Sequence, residues 1–261
     1  MDLNLRGKVI LIAGATGTLG RAATLQFARE GARLALLARD AGKLALLAGE
    51  VQALGAAADC YAADLTNAAS CDAAVRAAMV HCGRLDALVA CAGAAQGGAF
   101  LSLSDADWQR NLELKLFGSI RLLRAALPQL LVQRAGRVVL VIGNSGRLPE
   151  PHMLPGAVAN AALLAIVRGL AEELGPQGVC INAVNPGPVR SARWTRMMAD
   201  AAAKTGSTVE ATEAPFLAKS ALRRLAEPDE IARHVVFLAS EAAAHMTGTW
   251  LTIDGGSTKS A

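Results

Sequence analysis

Aromatic side chains are scarce, at 3% of 261 residues, while apolar residues reach 53%. A core with so few rings must be filled by Ala, Leu and Val, the usage expected where helices pack closely on a parallel sheet. Long apolar runs are missing as well. No stretch reaches the roughly eighteen residues of a membrane span, and no basic start joined to an apolar segment and a cleavage site marks a secretory leader. Cysteine is not clustered: Cys60, Cys71, Cys82, Cys91 and Cys180 form no CxxC and no group with His at metal-ligand spacing. Free thiols in a reducing cytoplasm, and no metal site, are therefore expected. Runs of like charge are absent too, since 26 basic and 22 acidic residues leave a scattered +4. That pattern argues against a nucleic-acid footprint and leaves room for small anionic ligands.

What the chain does have is a glycine turn, Gly14-Ala15-Thr16-Gly17-Thr18-Leu19-Gly20, between an apolar run over 9–13 and a helix-like segment over 21–29. A buried strand that turns sharply into a helix needs glycine wherever a side chain would block the turn or hold a phosphate away from the helix amides. The implied ligand is a dinucleotide. Taken without its surroundings, the same pattern also fits a tight turn with no ligand.

Strand-like and helix-like segments then alternate to the end. Strands are expected over 33–38, 57–62, 86–91, 137–142, 179–184 and 250–253, with helices over 41–53, 68–80 and 156–174. Ser104 and Asp107 form a capping-box start for a long helix running toward Pro128. With right-handed crossovers this alternation gives an α/β fold, a doubly wound parallel sheet of about seven strands in a single domain over residues 1–261. Ligands in such sheets sit at the carboxyl ends of the strands. Between 190 and 223 the pattern loosens around Gly206 and Pro215. That stretch reads as a substrate lid or as a long surface connection, and Trp194, Met197, Met198 and Phe216 in it offer either an apolar ligand surface or packed core.

Arg39 follows the second strand, where dinucleotide folds place the group that reads the adenine ribose. An acid there favours a free 2′-hydroxyl, whereas an arginine can pair with a 2′-phosphate. NADP is thus the expected cofactor, with NAD the alternative. The competing reading makes Arg39 a surface residue and Asp40 a helix cap. Asp64, closing the third strand, either holds the adenine amino group or caps the next helix.

These pieces resemble the short-chain dehydrogenase/reductase superfamily along nearly the whole chain. The resemblance rests on the glycine turn, Asp64-Leu65, Ala92-Gly93, Trp108 with Gly118, the strand over 137–142, Asn182-Ala183-Val184-Asn185-Pro186-Gly187, Arg224 to Pro228, Phe237 to Ser240, Thr247-Gly248 and Asp254-Gly255-Gly256. It implies a Rossmann-like fold and hydride exchange between a nicotinamide cofactor and a carbonyl or alcohol. It also implies a homotetramer or homodimer formed through the two long helices and the last strand. The cofactor residues it implies are Gly14, Thr16, Gly17, Thr18, Leu19, Gly20, Arg39, Asp64, Leu65, Ala92, Gly93, Asn160, Pro186, Gly187 and Val189.

Two departures are mild. Ala13 stands where members carry Thr, and the middle glycine is Gly17 where members have one at the Thr18 position. Cys91 likewise lies in an Ala-Cys-Ala-Gly run where Asn-Asn-Ala-Gly is usual. The catalytic positions depart completely. Alignment puts Gly156 at the family's Tyr, Asn160 at its Lys, Gly143 at its Ser and Lys115 at its Asn. Carbonyl reduction needs a proton for the developing alkoxide, a contribution of about a hundred- to ten-thousand-fold, and glycine supplies none. Lys and Asn have in effect exchanged helices, which suggests that Lys115 reaches toward Asn160 and restores a cation near the nicotinamide ribose. The bland alternative is a lysine on an oligomer face. Ser145 and His152 are the replacement acids the neighbouring loop offers, and Arg147 the group there that could bind an anionic substrate. The reading that follows is an NADP-dependent oxidoreductase with a rearranged site. A redox-inactive dinucleotide sensor or scaffold, and a lyase or isomerase with Lys115 as base, are the competing functions.

Overall fold

The computed structural model describes residues 2–93 and 97–259. Its first strand shows why the sheet is buried on both sides. In β1 (Val9–Ala13), Ile10 and Ile12 enter one core while Leu11 and Ala13 enter the other, because successive side chains on a strand point to opposite faces. The rest of the chain is α1 (Thr18–Arg29), β2 (Arg33–Ala38), α2 (Ala41–Ala53), β3 (Ala58–Ala62), α3 (Ala68–Cys82), β4 (Ala87–Ala90), α4 (Asp105–Leu112), a π turn (Glu113–Phe117), α5 (Gly118–Gln133), β5 (Gly136–Val141), α6 (Leu154–Leu174), β6 (Val179–Pro186), α7 (Ala192–Thr205), α8 (Val209–Lys219), α9 (Pro228–Leu238) and β7 (Trp250–Ile253).

The strands pair in the order β3-β2-β1-β4-β5-β6-β7, and all the pairs are parallel. Helices α1, α2 and α9 cover one face through Phe27, Leu44, Val51 and Val235; α3, α5 and α6 cover the other through Val75, Leu122, Leu130 and Val167. The order reverses between β1 and β4, which opens a crevice beyond their carboxyl ends. The expected doubly wound α/β fold is therefore present.

Local chemistry explains where the elements differ from expectation. The capping box forms as read, with the Asp107 amide donating to Ser104 Oγ and the Ser104 amide to Asp107 Oδ2 at 2.9 Å. The expected long helix is instead broken by the π turn at Glu113–Phe117 and runs past Pro128 to Gln133. Fully buried Leu130 anchors that last turn. The 190–223 stretch holds two helices with side-chain caps: Ser191 accepts from the Trp194 amide and Thr208 from the Ala211 amide. Residues 151–177 also correct the expectation of no long apolar run, since an eighteen-residue window there has a mean hydropathy of 1.6 and is long and apolar enough to cross a membrane. Within the fold, 44% of that window is buried, as suits a helix packed on a sheet.

Candidate active site

The crevice begins at the glycine turn. Gly14 has φ +73°, and a Cβ there would stand 2.6 Å from the Ala92 amide nitrogen; one on Gly20 would collide with the Gly14 carbonyl. Both glycines therefore let β1, the loop after β4 and the start of α1 close on one another. Helix α1 begins behind Gly17 without a side-chain cap. Its first-turn amides and the positive end of its dipole face the crevice, the ordinary setting for a phosphate.

One half of the crevice, about 210 Å³, is lined by Gly14, Thr16, Gly17, Ala38, Arg39, Leu65, Ala92 and Gly93. Arg39 is exposed at its rim. Asp40 caps α2 by accepting from the Lys43 amide at 3.0 Å, so the neighbouring acid is occupied in helix capping. Asp64 does not cap α3, because Asn67 does, accepting from the Ser70 amide. Instead Asp64 Oδ1 accepts from the Thr66 amide and hydroxyl, bonds that hold its pKa below the usual carboxylate value. Cys91 borders both halves, and burial pushes its thiol up to about 12, which keeps it protonated.

The other half, about 480 Å³, is lined by Gly17, Thr18, Leu19, Gly93, Ile142, Gly143, Met153, Pro186, Gly187, Val189, Ser191, Arg193, Trp194 and Met197. Of the apolar residues expected there, Trp194 and Met197 face the cleft, Met198 is buried, and Phe216 packs edge-on against Trp194 at 5.4 Å. The Trp194 Nε1–H donates to Glu213 Oε1 at 2.5 Å, which ties α7 to α8. Met153, Ser191 and Arg193 are wall residues that the sequence reading missed. The Ser191 cap was a legible signal for the start of α7; nothing in the spacing pointed to the other two.

Lys115 lies on the π turn, a helical irregularity that frequently marks a functional site. Its aliphatic stem runs along Gly93, where a Cβ would stand 3.2 Å from Lys115 Cδ, and its Nζ donates to the Ile142 carbonyl at 2.6 Å. Burial, and then the nearby Arg193 charge, lower its pKa to about 8. Lys115 thus points across the ends of β4 and β5, and its hydrogen-bond partner is Ile142, not Asn160. Asn160 is 4% exposed, and its Nδ2 donates to Ser145 Oγ at 2.8 Å. Its Oδ1 is buried without a hydrogen-bond partner, an arrangement that asks for a donor. A Cβ on Gly143 would approach Asn160 Nδ2 to 3.0 Å, so the bare glycine makes room for the asparagine. His152 is exposed in the short turn Pro151–Met153, and its carbonyl accepts from the Gly98 amide. Arg147, exposed, lies over the Trp250 ring at 5.8 Å.

A family model described as Enoyl-(Acyl carrier protein) reductase matches residues 14–258. The chain belongs to the short-chain dehydrogenase/reductase superfamily. It is 35% identical over 258 residues to the oxidoreductase UcpA of Escherichia coli O157:H7, covering 97% of this chain and 95% of that one. L-sorbose reductase from Gluconobacter frateurii, solved with NADPH and L-sorbose, superposes over 100% of both chains with a TM-score of 0.94 and 27% identity. An NAD+-bound xylitol dehydrogenase superposes over 97% of this chain and 100% of that one, with a TM-score of 0.92 and 28% identity.

This short-chain dehydrogenase/reductase has one tyrosine, Tyr61, and it lies on β3 at the sheet edge, where burial raises its pKa to about 12. It stands at the wrong end of the sheet to serve a reaction beside β4 and β5. The residues present fit a nicotinamide dinucleotide: the two halves of the crevice meet at Gly17, Cys91 and Gly93, and the α1 amides face the join.

Proposed function

We propose that the chain is a cytoplasmic, NADP(H)-dependent oxidoreductase that interconverts a small carbonyl compound and its alcohol through a site rebuilt around Lys115. The observation that carries this reading is the Lys115 ammonium, held on the Ile142 carbonyl beneath Gly93 between the two halves of the crevice. A bound nicotinamide supplies or accepts the hydride. Gly14, Thr16, Gly17, Thr18, Leu19, Ala92 and Gly93 form its cradle, with Gly20 closing the turn behind them. Arg39 takes the 2′-phosphate, Asp64 and Leu65 border the adenine, and Pro186, Gly187 and Val189 wall the nicotinamide end.

In this reading Lys115 has two duties. Its charge replaces the cation that other members place beside the ribose, and its lowered pKa lets it release and recover a proton near neutral pH. Asn160 orients Ser145 through its Nδ2. The Ser145 O–H is then directed toward the substrate oxygen. Lys115, packed against Gly93 of the crevice, is preferred to the exposed His152. Helices α7 and α8 serve as the lid. Exposed Val132 on α5 and Val158 on α6 support assembly into a homodimer or homotetramer through these helices.

Calorimetry with NADPH and NADH, followed by a carbonyl panel read through nicotinamide absorbance, tests the proposal. Binding with turnover is expected. Tight binding without turnover on any carbonyl or alcohol would reject the enzymatic reading in favour of a redox-inactive sensor, and absence of binding would reject both.

A further inference from the structure

We propose that the half of the crevice walled by Arg193 holds a carboxylate or phosphate group carried by the substrate, which makes this an enzyme for anionic carbonyl compounds. The inference rests on the oxidoreductase reading above and names its substrate class.

The charges around the crevice are one-sided. Among the described residues lining its two halves, Arg39 and Arg193 are the charged side chains, and no Asp or Glu lines either half. Lys115 adds a third cation behind Gly93, close enough to Arg193 that the like charge, after burial, disfavours its protonated form. An anion seated at Arg193 gains charge-assisted hydrogen bonds from the guanidinium and is attracted by the Lys115 charge behind it. The amino end of α7, where Ser191 and Arg193 both face the cavity, adds the positive end of a fourteen-residue helix dipole.

The remaining wall shows what the anion is attached to. Met153, Val189, Trp194 and Met197 are apolar, so the surface suits a molecule with an apolar body and one negatively charged end. Arg193 is also carried on a fixed frame, because its neighbour Trp194 is held by Glu213 and by the Phe216 ring. Phosphate chemistry has a second source, the pyrophosphate of the cofactor, whose expected cradle at Gly17, Thr18 and Leu19 borders the same half.

Calorimetric titration of benzoylformate and of its neutral counterpart acetophenone into the NADP+-saturated protein separates the sources. Benzoylformate should bind at least about tenfold more tightly, a preference that Arg193→Met abolishes and Arg193→Lys keeps within about threefold. The Kd for NADPH should stay within about twofold in both variants. No preference in the native protein, whether both probes bind or neither does, overturns the proposal. So does a preference that survives Arg193→Met. A tenfold weaker NADPH complex in Arg193→Met, with probe binding unchanged, assigns the anion to the cofactor and overturns the substrate assignment. Should the native protein bind no nucleotide, the oxidoreductase reading fails. The same titrations without nucleotide then decide the anion subsite by the same criteria.

Discussion

At the end of the crevice near β2, the surface that would meet a ligand is largely main chain: Gly14, Gly17, Ala92 and Gly93, brought together by the ends of β1 and β4. At the end near β6, side chains do most of the work. Lys115 arrives from a π turn, Arg193 and Trp194 from α7, Met153 from a short turn before α6. The contrast shows where such a fold can change. A main-chain cradle is fixed by strand order and a few glycines, so its chemistry persists while side chains drift. A half built from side chains on three separate elements can be rewritten one residue at a time.

The contrast can be broken most severely at Gly14. Alanine there would meet the Ala92 amide and would have to hold a positive φ, which costs about 1–2 kcal/mol before any clash. Gly14→Ala is expected to weaken NADPH binding at least about a hundredfold by calorimetry. A change below threefold would show that the main-chain frame is not what binds.

Lys115→Met strikes the side-chain half. At pH 7 it should weaken NADPH binding about tenfold, roughly 1.4 kcal/mol. The native protein should lose that advantage as pH rises through about 8, where Lys115 becomes a neutral amine. Stability moves the other way. A lysine whose pKa falls on folding binds more protons when unfolded, so the native protein gains on Lys115→Met from about pH 8 up to the unfolded value of about 10.4. Melting temperatures of the pair across that window check the sign, and parallel curves would refute a buried, titrating ammonium.

Smaller effects are expected at the margins. Arg39 is exposed, and exposed ion pairs contribute about 0.2–1 kcal/mol, so Arg39→Ala should reduce the preference for NADPH over NADH by no more than about fivefold. Paired titrations would show it, and an unchanged ratio would mean that Arg39 does not read the 2′-phosphate. Smallest of all, His152→Ala should alter kcat/KM less than about twofold, because the ring is exposed and outside the cleft wall.

Sequence reasoning reached the main-chain half because its signals are local. Strand, glycine turn and helix are contiguous over 9–29, and the doubly wound parallel sheet follows from alternation and handedness. It reached the side-chain half only as a set of expected losses. That Lys115 finds the Ile142 carbonyl depends on a flexible stem, a bare Gly93 and a register between β4 and β5, none of which spacing displays. Lys115 was expected to reach toward Asn160, yet it bonds the Ile142 carbonyl while Asn160 bonds Ser145. The two helices of 190–223 were hidden by an Ala- and Thr-rich composition, although Ser191, Thr208 and Gly206 are ordinary start and stop residues.

The stem of Lys115 lying along Gly93 also constrains what this protein can become. A methyl group at 93 would press on that stem at 3.2 Å, so the two positions are epistatic. Residue 93 can acquire a side chain only if that flexible stem gives way by a few tenths of an ångström, so what one position tolerates is set by the other.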